Sequence, residues 1–369
     1  MKSISKNVNE IKESYSEIQD TIEYKQLRVQ AIRDWPKNKP FDVENEFQNR
    51  VNKLPITFKP FQFHYLEENT YNLLLSLFLD TLDFLPMRPD LSFDFIWRAI
   101  DTYSSEIFPN LNSKEALQKC IKEMWTPALK EDVELLKAFN SLFTSIPVQS
   151  CEYLYKRLFQ SFDINKDLTK QSQLIGRLIE FDGGAIQNQK IAILLAEIYY
   201  KFNYNPQEFG KIREGSRLLY RLFGCKNTCD DKCSDECKGK CGGISFKKSE
   251  DESEFDVKLR GEDKSTINIR SERSYKIELE DKLNFLINGI LYTFRNDKAH
   301  GAVFSPFRSS KASIKTYAHS NFCFLAAYIL LLILMSRKDE YKVSNKDVVE
   351  NITQNIDLFQ KLYGRELKA

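Results

Sequence analysis

The sequence predicts a mainly helical protein: a helical bundle with a small cysteine-rich and β-hairpin insertion, preceded by an N-terminal helical region. Three observations predict it. Apolar residues recur at steps of three and four through most of the chain, the period of a helix with one buried face. Glycine and proline are sparse, 13 and 11 in 369 residues, whereas Phe and Tyr number 27 and 17, which favours bulky cores over loops. Residues 224–277 alone break this texture, with regularly spaced cysteines followed by period-two alternation. The net charge of +2 makes global attraction to nucleic acid weak, so any nucleic-acid site has to be a local basic patch.

Residues 1–35 read as a charged helix with weak apolar spacing, broken by Trp35-Pro36-Lys37-Asn38-Lys39-Pro40. Leu73, Leu74, Leu77, Leu79 and Leu82 mark a helix from Tyr65 to Phe84, ended by Pro86 and Pro89. Ser92 caps the next, Phe93 to Ser105. Further helices are expected over 113–125, 130–143, 151–162 and 170–181. A turn at Asp182-Gly183-Gly184 leads to a pair over 187–202 and 210–223. In the insertion, Phe255, Val257 and Leu259 alternate, as do Ile267 and Ile269, with Gly261-Glu262-Asp263 between them: a hairpin. Leu279, Leu283, Leu286, Ile290, Leu291 and Phe294 then form one helical stripe. A strongly apolar helix spans 312–337 and an amphipathic one 344–363.

The apolar run Phe322–Met335 falls short of the ~20 residues that a spanning helix needs and reads as a buried core helix, with no membrane partner. The N-terminus has no apolar secretory core, so a cytoplasmic location is expected. Length suggests about two domains. The segments are 1–180, an N-terminal helical region for sensing or partner binding; 181–345, the bundle with its insertion at 224–277; and 346–369, a C-terminal helix.

The chemistry-bearing stretch is Phe294-Arg295-Asn296-Asp297-Lys298-Ala299-His300-Gly301, where the apolar stripe runs out. Arginine offers a planar fork of donors suited to phosphate, and histidine titrates near neutral pH. With only three histidines in the chain, one placed five positions after an arginine is informative. His64 and His319 have no arginine four to six residues before them. Lys298, Arg308 and Lys311 are candidates for flanking phosphates, and Tyr292 and Tyr317 for base stacking.

Arg295-Asn296-x-x-x-His300 resembles the Arg-x4–6-His signature of HEPN domains (higher eukaryotes and prokaryotes nucleotide-binding), in which a polar residue commonly follows the arginine. The resemblance covers about 279–336. It implies a helical bundle and metal-independent RNA cleavage, with no cofactor for catalysis. His300 would be general base or acid, Arg295 would hold the scissile phosphate, and Asn296 would orient one of the pair. It also implies RNA as partner, a homodimer that brings two motifs together, a toxin or antiphage-defence role, and a restraining antitoxin or trigger protein. The alternative is a non-catalytic helical module binding nucleic acid or protein, with a zinc-stabilised insertion.

Cys225, Cys229, Cys233, Cys237 and Cys241 fall at every fourth position. Gly239, Asn227 and Asp230 among them disfavour a helix. Four thiolates in a compact loop suit a tetrahedral structural zinc. An iron–sulfur cluster or a metal-free reduced segment are the alternatives. Cys120, Cys151 and Cys323 sit in apolar helical contexts and are expected in the core.

Overall fold

The first helix among the described residues, α1 (Ile22–Arg33), lies on the outside of the molecule and has no buried residue. The computed structural model describes residues 21–36, 41–161, 173–182, 185–203, 210–224, 243–245, 255–258, 266–269, 274–299 and 305–367. Within them the protein is mainly helical, as its periodicity predicts. Helix α2 (Asp42–Val51) reads as mostly polar and was not expected; it buries Val43 and Phe47, and the Phe47 ring stacks on Tyr317 at 3.9 Å.

Helix α3 (Asn69–Phe84) begins at Glu68, whose carboxylate accepts from the Thr70 and Tyr71 amides. That places a negative charge on the positive helix end. Helix α4 (Pro89–Ile107) starts earlier than the expected Ser92 cap. Pro89 takes its first turn, where a missing N–H costs nothing, and the Ser92 hydroxyl instead donates to the Thr81 carbonyl at 2.9 Å, tying α4 to α3.

Helix α5 (Ser113–Cys120) is opened by a capping box of Asn112 and Glu115. It continues through a π-turn (Ile121–Trp125) into α6 (Thr126–Glu131), where the sequence suggested a break. Pro127 explains the π-turn: it lacks an N–H and crowds the preceding turn, and the wider turn accommodates it. Helices α7 (Val133–Thr144) and α8 (Val148–Ser161) follow. The short α9 (Gln173–Leu178) leads to an antiparallel hairpin, β1 (Glu180–Asp182) with β2 (Ala185–Asn188), and Gly183 and Gly184 of the expected turn lie outside the described residues. The expected helix ends at 181 and 187 are strand because Glu180 pairs with Asn188 and Phe181 with Ile186.

Helices α10 (Lys190–Asn203) and α11 (Gly210–Phe223) form the expected pair, and α11 packs on α8. In the insertion β3 (Gly243–Ser245) pairs with β6 (Ser274–Lys276), and β4 (Phe255–Lys258) pairs with β5 (Thr266–Ile269). Val257 faces Ile267 across that hairpin, the register its alternation predicts.

The predicted stripe is α12 (Leu279–Asn284), a π-turn (Phe285–Leu291) and α13 (Tyr292–Ala299) in continuous succession. Every residue of the π-turn is buried, so this segment is enclosed on all sides. Helix α14 (Ile314–Met335) is long and apolar enough to cross a membrane, yet that window is entirely buried inside the bundle. At 22 residues it is longer than its apolar run suggested; burial, not length, marks it as a core helix. The amphipathic α15 (Asn345–Tyr363) packs against α7 and α14. A single buried apolar cluster runs from Val43 to Leu367, drawing on all three segments read from the sequence. Cys120, Cys151 and Cys323 are buried in it.

Candidate active site at the end of helix α13

Helical geometry gives each residue of α13 a direction. Thr293 and Asp297, one turn apart, face α8 and α9. Phe294 and Lys298, also one turn apart, face α4 and α14. Arg295 and Asn296 point a third way, with Tyr292 one turn below Arg295.

The first face is a polar tie. The Tyr153 hydroxyl donates to the Asp297 carboxylate, and Arg157 forms an ion pair with the same oxygen. Burial raises the Asp297 pKa, and the Arg157 charge opposes the rise. Burial also pushes the Tyr153 phenol well above its usual range, with the Asp297 charge adding to it, so the shared proton stays on Tyr153. Arg177 of α9 donates from Nη2 to Thr293 Oγ1 at 2.7 Å.

The second face is apolar below and charged above. Phe294 packs edge-on against Phe93 at 5.0 Å and against the His319 ring at 5.1 Å. Lys298 Nζ donates to Asp94 Oδ2 at 2.5 Å and also to the Asp90 carbonyl.

On the third face Arg295 Nη1 donates to Asn296 Oδ1 at 3.2 Å, and the guanidinium lies 5.9 Å from the Tyr292 ring centroid. Among the described residues Arg295 makes no ion pair. The positive charge of Arg295 is felt at Asp101 of α4, whose carboxyl is raised mainly by burial and held down by a Ser113 hydrogen bond and by Arg295.

The structure thus places Arg295 and Asn296 side by side and hydrogen-bonded. His300 lies outside the described residues, as do Cys225, Cys229, Cys233, Cys237 and Cys241. Lys298, expected at flanking phosphates, has its charge paired inside the protein. Arg308 donates from Nε to Glu44 Oε1 at 3.0 Å, while its carbonyl accepts from Arg28 at 2.8 Å, so it links α1 and α2. Lys311 is exposed in the turn before α14. Tyr317 is fully buried between Phe47 and Phe307 and is unavailable to a base. Tyr292 is half-buried, edge-on to Trp97 at 5.9 Å.

Sequence reasoning missed Tyr153, Arg157, Arg177 and Asp94. All lie far from the motif in the chain; only Asp297 and Lys298, two charges inside a helix end, hinted that partners must exist. Among the described residues no group of three or more His, Cys, Asp or Glu is placed to hold a metal ion. No family profile, curated protein or solved structure matches this chain.

Proposed function

We propose that the protein is a HEPN-type endoribonuclease that cuts RNA without a metal ion, with Arg295 on the scissile phosphate and His300 moving protons. The observation that carries this reading is the fixing of α13. Asp297 ties it to α8, Thr293 to α9 and Lys298 to α4, while Arg295 keeps its charge free of ion pairs among the described residues. An arginine held on a rigid helix, aligned by Asn296 and with no ion-pair partner among the described residues, is prepared for an anion.

In the proposed reaction His300 takes the proton of a ribose 2′-OH while that oxygen attacks the adjacent phosphorus. Arg295 offsets the charge that builds on the non-bridging oxygens. The bond to the 5′-oxygen breaks, and that oxygen takes up a proton from an acid. The products are a 2′,3′-cyclic phosphate and a 5′-hydroxyl. One histidine cannot readily be base and acid in the same step, so the proposal includes a homodimer in which the second motif supplies the other role. A toxin or antiphage-defence role, held in check by an antitoxin or trigger protein, belongs to the same proposal.

The test compares wild type, Arg295→Ala and His300→Ala on single-stranded RNA in EDTA. Wild type is expected to cleave and both variants to lose about a hundredfold or more in rate. Equal cleavage by all three would reject the assignment, and loss of wild-type cleavage in EDTA would point to a metal-dependent route.

A further inference from the structure

Among the described residues Arg177 makes no ion pair. Its Nη2 donates to the neutral Thr293 hydroxyl, at 2.7 Å. Its Nε is shielded from solvent and has no hydrogen-bond partner among the described residues. The carboxylate whose charge reaches it, Asp297, is already engaged by Arg157 and the Tyr153 hydroxyl. Burial lowers the Arg177 pKa to about 10, a sign of a charge poorly compensated by its surroundings. Buried charges are normally paired, and a mostly buried one without an ion-pair partner is a candidate for binding an anion.

Its position relative to the motif is specific. The Arg177 guanidinium lies 5.1 Å from the Tyr292 ring centroid, and that of Arg295 lies 5.9 Å from the same ring. The two guanidiniums are therefore no further apart than those distances combined. Arg177, Tyr292 and Arg295 are all half-buried, so the group reaches the surface. Arg177 is also held in place. Gln118 of α5 donates to the Ile179 carbonyl at 2.8 Å, and Asn284 of α12 donates to the Leu178 carbonyl at 3.1 Å. These bonds pin the C-terminal end of α9, just past Arg177.

We infer that Arg177 and Arg295 form a two-arginine clamp astride Tyr292 that binds consecutive phosphates of single-stranded RNA, Arg177 holding the one next to the scissile bond. The identity of the ligand rests on the ribonuclease reading; the clamp itself rests on the placement of the two arginines. Thr293 Oγ1 orients the Arg177 fork, and the Tyr292 ring spaces the two cations and screens their repulsion.

The clamp is tested with two probes: a 2′-O-methyl RNA oligomer, which cannot be cleaved by 2′-OH attack, and inorganic pyrophosphate. Wild type is expected to bind the oligomer with strong salt dependence and to gain thermal stability with pyrophosphate. Arg177→Met, with the wild-type unfolding temperature in the absence of ligand, is expected to bind the oligomer about tenfold more weakly. Its log–log salt slope should fall by about 0.7, the amount for one phosphate contact on a single strand. Should Arg177→Met fail to fold, Arg177→Lys carries the test: it keeps the salt slope and loses affinity with the fork. A folded Arg177→Met with unchanged affinity and slope overturns the clamp and leaves the Arg295–His300 reading intact. Arg177-dependent protection by pyrophosphate, without oligomer binding by wild type, keeps an anion clamp for a free phosphate compound and removes the RNA reading. No response of wild type to either probe overturns the clamp outright.

Discussion

His319 is buried beneath the motif, packed against Phe294 and 4.7 Å from the Tyr153 ring. Its Nδ1 meets the Ser150 hydroxyl at 2.9 Å, and its Nε2 has no partner among the described residues. A proton on Nε2 would be a buried charge without an acceptor, so burial lowers its pKa from 6.5 to about 3. Below about pH 6.5 the unfolded chain takes up a proton that the folded protein refuses. The stability from neutral His319 is thus complete above that pH and declines toward pH 3, by about 1.4 kcal/mol per unit. Unfolding temperatures between pH 7.5 and 5 should therefore fall more steeply for wild type than for His319→Gln; parallel curves would contradict this account. His319 is one of three histidines, and nothing in its spacing marks it as buried and neutral. That state comes from Ser150 and Tyr153, on a helix more than a hundred residues away.

At the scale of elements, α13 is defined by what it touches. Its own sequence is charged, short and poorly suited to stand alone; its place comes from Asp297 on α8, Thr293 on α9 and Lys298 on α4. Removing one partner of a mostly buried ion pair leaves the other desolvated and costs about 3 kcal/mol. Asp297→Ala is accordingly expected to lower stability by that amount, measured by denaturant unfolding. It should also slow RNA cleavage, although Asp297 is a positioning residue that touches no substrate. The two effects separate with Asp297→Asn, which can still accept from Tyr153 and should recover more activity than stability. Full activity in Asp297→Ala would show that α13 needs no anchoring. Most helices were legible, because apolar spacing reports burial on one face. The π-turns at 121–125 and 285–291 were not, since an added residue in a turn leaves the apolar pattern nearly unchanged. Helix α2 was hidden for the opposite reason: its two buried apolar residues sit among charges.

At the scale of the whole molecule, two long segments converge on one short helix. Helix α4 and the α8–α9 region come from the first half of the chain, and α13 comes from the second. Arg295 and Asn296 were readable from sequence as a pair because they are adjacent in the chain. Arg157, Arg177 and Asp94 were not, because only folding brings them there. If Arg295 and His300 cut RNA by 2′-OH attack, as proposed, the chemistry of the new RNA ends records it. Fragments produced by wild type in EDTA are predicted to carry 2′,3′-cyclic phosphate and 5′-hydroxyl ends, with neither formed by His300→Ala. Fragments with 3′-hydroxyl and 5′-phosphate ends, or undiminished cleavage by His300→Ala, would contradict it.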